Sequence, residues 1–312
     1  MAISDVIVEN FRPGVMDRLG LGYADLSRER PGLVMLSGST CGATGPLRDY
    51  TGYASIFSAL GGLDDATGYP DGDPTEYRGS IDLNTGTTGA FALMAALLHR
   101  QRTGQGQHVD LSAWESMACL VGDRFLEAAR TGHNPPRLGN EDPRLAPHNV
   151  YPSRGEDRWV SIAVGTQEEW RALCAVAGHP KWADDERFAE PRQRWVHRAE
   201  LDSLLAAWTR ERTCEEATEM LQAAGVAAAP SMSARDLAED PHLRERGYIH
   251  RLADPLQGEV GLVGAPWRFS RTPAQIRRPA PVIGQDTHFV LRELLGIGEA
   301  ELAELAAEEV LY

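Results

Sequence analysis

The chain opens on alternating order. Val6-Ile7-Val8 is a short β-branched run set between Asp5 and Glu9, and it predicts a buried strand. Leu33-Val34-Met35-Leu36 predicts a second, which runs into a Gly- and Ser-rich stretch from Ser37 to Gly45. Between them Arg12-Pro13-Gly14 marks a turn, and the spacing from Val15 to Leu26 predicts a helix. Strand, helix, strand in that order implies a parallel α/β layer. A helix is expected over Ala54 to Leu60, then an acidic, turn-rich loop from Asp64 to Arg78. From Thr85 to Arg100 small residues give way to Phe91, Met94, Ala95 and Leu98, which predicts a helix whose start admits a close approach. A strand at His108 to Leu111 and a long helix from Ala113 to Arg130 follow.

The pattern changes after Thr131. The proline-rich stretch to Pro152 reads as a linker or active-site loop. Trp159 to Ala163 predicts a strand. Thr166 with Glu169, and Thr213 with Glu216, have the spacing of capping boxes at two helix starts. Leu201, Leu204, Leu205 and Trp208 recur at helical spacing. Two strands are expected near Tyr248 to Leu252 and Glu259 to Val263, with helices near Thr287 to Leu295 and Glu299 to Leu311.

With 312 residues there is material for one large or two modest domains. The net charge of −14 makes the surface repel phosphate backbones and anionic lipid, which argues against nucleic acid and membrane partners. An anionic ligand must then be met by a local Arg cluster or a helix N-terminus, and Lys181, the only lysine, argues against Schiff-base chemistry. No apolar run is expected to reach the length of a membrane span, and Met1-Ala2-Ile3-Ser4-Asp5 lacks the pattern of a signal peptide. Cys41, Cys119, Cys174 and Cys214 have no metal or disulfide spacing, so a cytoplasmic location is expected.

Few residues stand out as chemistry. Asp82, ahead of the Gly-rich helix, is either an N-cap or a nucleophile beside free backbone N–H groups, and spacing alone does not choose. The nine histidines show no metal-ligand spacing. The acidic loop departs from an EF-hand at Pro74, Gly38-Ser39-Thr40-Cys41-Gly42 puts Thr where a nucleophile elbow needs Ser, and no G-x-G-x-x-G occurs.

Several strings nonetheless resemble one family, the class III CoA-transferases of the CaiB/BaiF type. They are Asp5 to Gly20, Gly42-Ala43-Thr44-Gly45-Pro46, the helix from Asp82 to Arg100, and Arg102 to Asp110. Ala224-Gly225-Val226, Asp240-Pro241-His242-Leu243 and Arg278 to Gly284 continue the resemblance in order along the chain. The resemblance implies an α/β fold with a large nucleotide-fold-like domain and a small α+β domain, assembled as an interlocked homodimer. The expected boundaries are 1–147 for the large domain, 148–235 for the small one, and 236–312 for a C-terminal return to the large domain. It makes Asp82 the catalytic nucleophile. It places Asn10, Phe11, Arg12 and Arg18 on CoA, with Thr51, Gly52, Tyr53 and Ala54 along the pantetheine. The implied substrates are an acyl-CoA and a carboxylic acid, with no permanently bound cofactor and no metal.

The departures also carry expectations. The family's N-terminal segment is lacking, so the chain is expected to be a fragment, to have its missing part supplied by another polypeptide, or to have lost independent activity and serve as a non-catalytic accessory subunit. Ala54 replaces the usual acidic residue, Thr40-Cys41 the usual Gly-aromatic pair, and Gly139 to His148 the Gly-rich loop of some relatives. The racemase branch uses a His where Tyr53 stands, paired with a Glu that aligns with Glu168. Tyrosine, with an ordinary pKa of about 10, is a poor base near neutrality, so the transferase reading is preferred to a racemase. The loops near Thr40-Cys41, Asp64 to Arg78 and Gly139 to His148 are expected to carry specificity.

Overall fold

The computed structural model describes residues 4–77 and 79–311. Arg78, at the end of the acidic loop, and Met1, Ala2 and Ile3 of the expected leaderless start lie outside them. The chain divides between Ala228 and Ala229 into two units.

In the first unit, β1 (Val6–Glu9), β2 (Val34–Ser39) and β3 (His108–Ser112) form a parallel sheet in that order. Val6 lies opposite Val34, and Met35 opposite His108. Val34 and Met35 of the central strand are buried, as a parallel strand covered on both faces requires. The helix expected over Val15 to Leu26 is instead two, α1 (Val15–Arg18) and α2 (Tyr23–Glu29). Gly20 between them takes φ +69, a left-handed conformation that ends a helix.

Between β2 and β3 come α3 (Ala54–Leu60), α4 (Leu63–Ala66) and α5 (Ile81–Thr103). After β3 the expected long helix is broken. It forms α6 (Ala113–Ala118), a 3-10 turn at Cys119–Val121 and α7 (Gly122–Thr131). Gly122 stands at the break, where its backbone freedom disfavours an unbroken helix.

α5 corrects the expectation that no apolar run reaches a membrane span. It has 23 residues, and an 18-residue stretch of it has a mean hydropathy of 1.2. Length and composition alone do not separate a span from a helix covered by protein. Only 17% of its apolar window is buried, and Leu83, Phe91, Met94 and Leu98 stand exposed.

Further along, β4 (His148–Pro152), β5 (Trp159–Ala163) and β6 (Ala227–Pro230) form a second sheet in that order. β4 and β5 are antiparallel, with Tyr151 opposite Val160. The stretch read as a linker to Pro152 thus ends in a strand. α8 (Gln167–Val176), a 3-10 turn at Pro180–Asp184, α9 (Pro191–Val196), α10 (Arg198–Arg210) and α11 (Cys214–Ala223) complete this part. Both capping boxes form, each with its Thr and Glu bonded reciprocally. Tyr151, Trp170, Leu173, Leu201, Leu205 and Leu221 meet in one buried core. Arg194 is buried with them, its guanidinium over the Trp170 ring and bonded to the carbonyls of Ala146 and Phe188.

The second unit holds α12 (Ala234–Glu239), α13 (Pro241–Glu245), the antiparallel hairpin of β7 (Ile249–Asp254) and β8 (Gly258–Val263), a π-helical turn at Phe289–Leu294, and α14 (Glu299–Ala307). Among its described residues, Leu302 is the only buried apolar side chain.

Candidate active site

A parallel sheet gathers its loops at the carboxyl ends of the strands, and ligands of open α/β sheets bind there. Here that edge carries Asn10-Phe11-Arg12 after β1, Thr40 to Pro46 after β2, and the start of α6 after β3. α5 runs back along the sheet, because β3 begins four residues after its end. Its last turn is tied to the amino edge, where Arg100 donates to Asp5 at 2.8 Å. Its first turn is tied to the carboxyl edge, where Asn84 Nδ2 donates to the Ser116 carbonyl of α6 at 3.2 Å. Asp82 therefore stands on the same edge as Asn10, Phe11 and Arg12.

The helix begins earlier than the sequence pattern suggested. Ser80 is the N-cap and Asp82 sits in the first turn, so Asp82 is not the cap. The Ser80 side chain makes no capping bond, and the first intrahelical N–H bond runs from Asn84 to the Ser80 carbonyl at 2.8 Å. The N–H groups ahead of it have no helix carbonyl to meet. They present partial positive charge beside an exposed carboxylate. Thr85, Thr87 and Thr88 bond back to the carbonyls four residues before them, which turns their hydroxyls inward. Gly89 admits the sheet: a Cβ there would come within 3.2 Å of Leu36 and 3.1 Å of Leu111.

The other expected residues are distributed as follows. Asn10, Phe11 and Arg12 are exposed, and the Phe11 N–H is held by the Glu9 carboxylate at 2.8 Å. Arg18 ends α1 and is also exposed. Among the described residues neither Arg12 nor Arg18 has an ion-pair partner. Tyr53 is the N-cap of α3 and is 85% exposed, with Thr51 and Gly52 ahead of it and Ala54 behind. α3 packs against α5 and α6.

A cleft of about 380 Å³ opens at the same edge, lined by Cys41, Thr44, Pro46, Asp110, Trp114 and Glu115. Asp110 accepts the Ala43 N–H with both oxygens, at 2.9 and 3.0 Å. Its two carboxylates make the cleft unsuited to phosphate. Burial pushes the Cys41 thiol up, with Glu115 adding to the effect, so Cys41 is a weak nucleophile. The sequence reading passed over Asn84, Asp110 and Glu115. Each acts through a partner distant in the chain, for which no local pattern exists. All four cysteines are free, and the described residues contain no cluster of three or more metal-ligating side chains.

Two of the three loops expected to carry specificity, Asp64 to Arg78 and Gly139 to His148, are in contact. Gly139 N–H donates to the Gly68 carbonyl at 2.9 Å, and Asn140 Nδ2 to the Tyr69 hydroxyl at 3.1 Å.

Comparison with known proteins adds identity to this geometry. The sequence model of CoA-transferase family III matches residues 1–287. The chain is 38% identical to the succinyl-CoA–D-citramalate CoA-transferase of Chloroflexus aurantiacus, over 98% of this chain and 76% of that one. It is 32% identical to the acetyl-CoA:oxalate CoA-transferase of Acetobacter aceti, over 96% and 75% respectively. A crystal structure of a CaiB/BaiF family protein from Brucella suis matches with a TM-score of 0.83 at 31% identity, over 94% of this chain and 76% of that chain.

Proposed function

Because the chain belongs to CoA-transferase family III, we propose that it moves CoA between an acyl-CoA and a carboxylic acid through an aspartyl-CoA thioester on Asp82. The supporting observation is the exposed Asp82 carboxylate in the first turn of α5, beside N–H groups without helix partners and on the sheet edge that carries Asn10, Phe11 and Arg12. One Asp82 oxygen attacks the thioester carbonyl; the C–S bond breaks, leaving a mixed anhydride and a CoA thiolate. The thiolate attacks the γ-carbonyl of Asp82 and expels the donor acid as its carboxylate. An acceptor carboxylate then displaces CoA from Asp82, and the released thiolate takes the acceptor's acyl carbon, restoring the Asp82 carboxylate. The route divides one difficult exchange into activated acyl transfers. The helix N-terminus eases the negative charge that develops at each carbonyl oxygen.

Asn10, Phe11, Arg12 and Arg18 hold CoA in this reading, with the two guanidinium groups on its phosphates. Thr51, Gly52, Tyr53 and Ala54 follow the pantetheine. The names of the relatives above include the small dicarboxylic acids citramalate and oxalate, and we assign an acceptor of that class here. A racemase is not favoured, since the named relatives are transferases. The parts 1–147, 148–235 and 236–312 are proposed as large domain, small domain and return. The exposed apolar face of α5 supports cover by a second copy in an interlocked homodimer. The acidic charge and four free cysteines suit a cytoplasmic location.

Incubation with succinyl-CoA, trapping with hydroxylamine or borohydride and peptide mass spectrometry test the reading. An adduct on Asp82, lost in Asp82→Ala, is expected. No adduct at millimolar thioester would leave the chain as an accessory subunit.

A further inference from the structure

The first turn of α5 has little to fix it from within. Gly79 ahead of it, at φ +89, and Gly86 behind it stand in open space, where a Cβ would meet nothing within 4 Å. Ser80 leaves the turn without a side-chain cap. Glycines on both sides and an unmade cap weaken a helix end. Two residues bind the turn to the rest of the first unit. Ile81 is buried, and Asn84 Nδ2 donates to the Ser116 carbonyl at 3.2 Å. Among the described residues, this is the turn's only side-chain hydrogen bond to another element.

The acceptor is itself held. Ser116 is buried in the last turn of α6, where helix carbonyls are open to outside donors. Its hydroxyl donates to the Ser112 carbonyl at 2.9 Å. Ser112 caps α6, its Oγ accepting the Glu115 N–H at 3.2 Å, and the Trp114 N–H donates to the Thr40 carbonyl just past β2 at 3.0 Å. α6 is thus tied to the carboxyl edge of the sheet, and Asn84 carries that tie to the turn that holds Asp82.

Ile81 and Asn84 lie three apart and share one face of the helix. They constrain it differently. An apolar contact is non-directional and lets a turn rotate, whereas a hydrogen bond weakens steeply off its axis. A side-chain tip about 5–6 Å from the helix axis moves about 1 Å for every ~10° of rotation. Misplacement by about 1 Å is enough to cost on the order of 100-fold in rate.

We propose that Asn84 is a positioning residue: its bond to Ser116 fixes the rotation of the first turn of α5, and with it the line along which the Asp82 carboxylate meets the thioester carbonyl. The proposal rests on the reading of Asp82 as nucleophile. The CoA contacts of that reading lie after β1, in α1 and at the start of α3, so holding Asp82 and holding the substrate are separable.

Asn84→Leu keeps the approximate volume and removes the donor. The exchange of isotope-labelled succinate into succinyl-CoA measures the first half of the reaction without a second acid. Its kcat is expected to fall about 10- to 100-fold while KM for succinyl-CoA changes less than about threefold, with the far-UV circular dichroism of the wild type. Asn84→Ala, which adds no bulk beside Ser116, should show the same split and decides the matter when the Leu variant does not fold. An unchanged kcat, or a loss confined to KM, overturns the proposal. Loss of the fold in both variants also overturns it, since the bond is then structural. Trapping on wild-type Asp82 keeps the two readings apart. A wild-type adduct with unaltered exchange in the variants removes only the role of Asn84, whereas no wild-type adduct removes the nucleophile and this proposal with it.

Discussion

Gly106 lies against the backbone of Leu33 so closely that a Cβ on it would sit 1.9 Å from the Leu33 carbonyl oxygen. The same residue donates its N–H to the Pro31 carbonyl at 2.8 Å, which sets the approach of β3 to β2. The contact is backbone on backbone, so no side chain can move aside. Gly106→Ala is expected to cost more than about 2 kcal/mol by overpacking alone. Urea unfolding followed by far-UV circular dichroism measures it, and a midpoint equal to the wild type's would refute the account.

Alkaline stability should be governed in part by Cys174. Burial pushes its thiol up to about 12 from an ordinary 9.0. A folded-state pKa raised above the unfolded one gives stability that is complete below pH 9 and lost as pH rises toward 12, because the unfolded thiol ionises first. The loss by pH 11 is about 3 kcal/mol. Cys174→Ala should flatten the slope of unfolding free energy between pH 9 and 11, although burial also raises Cys41 and Cys214 and leaves a residual slope.

Arg12 offers a test of the proposed CoA contacts that leaves the proposed nucleophile in place. Arg12→Ala should raise KM for the thioester about 10- to 100-fold with little change in kcat, as loss of a charge-assisted phosphate contact requires. The wild type should also lose affinity faster than the variant as salt is raised. A fall in kcat at constant KM would move Arg12 from holding CoA to the reacting centre.

Cover of α5 by a second copy has its own reporter. Met94, 66% exposed, and Phe91, 78% exposed, lie within one turn of each other on the same helix. Phe91→Glu together with Met94→Glu should abolish the dimer in sedimentation velocity at micromolar concentration. A wild-type chain that sediments as a stable monomer would remove the dimer from the picture.

What the sequence made legible follows the range of each interaction. Thr166 with Glu169 and Thr213 with Glu216 are complete within four residues, and both helix starts fall where those pairs put them. Asp82 lies within the first turn of α5 rather than ahead of it. Gly86 and the threonines weaken the helical pattern, while burial of Ile81 and the Asn84 bond to Ser116 carry the helix back to Ile81. Arg194 illustrates the opposite failure: an arginine in a short helix reads as surface, and only the carbonyls that surround it explain its burial. Tyr69 and Asn140 are 71 positions apart, and no periodicity connects them.

The tie between Arg100 and Asp5 has a practical consequence for anyone who labels or immobilises this protein. Eighteen residues of α5 separate Arg100 from Asp82, about 27 Å along the helix axis. Asp5, just ahead of β1, thus lies at the edge of the sheet remote from Asp82. A fluorophore or surface tether attached at that edge is placed to follow the molecule without shading Asp82.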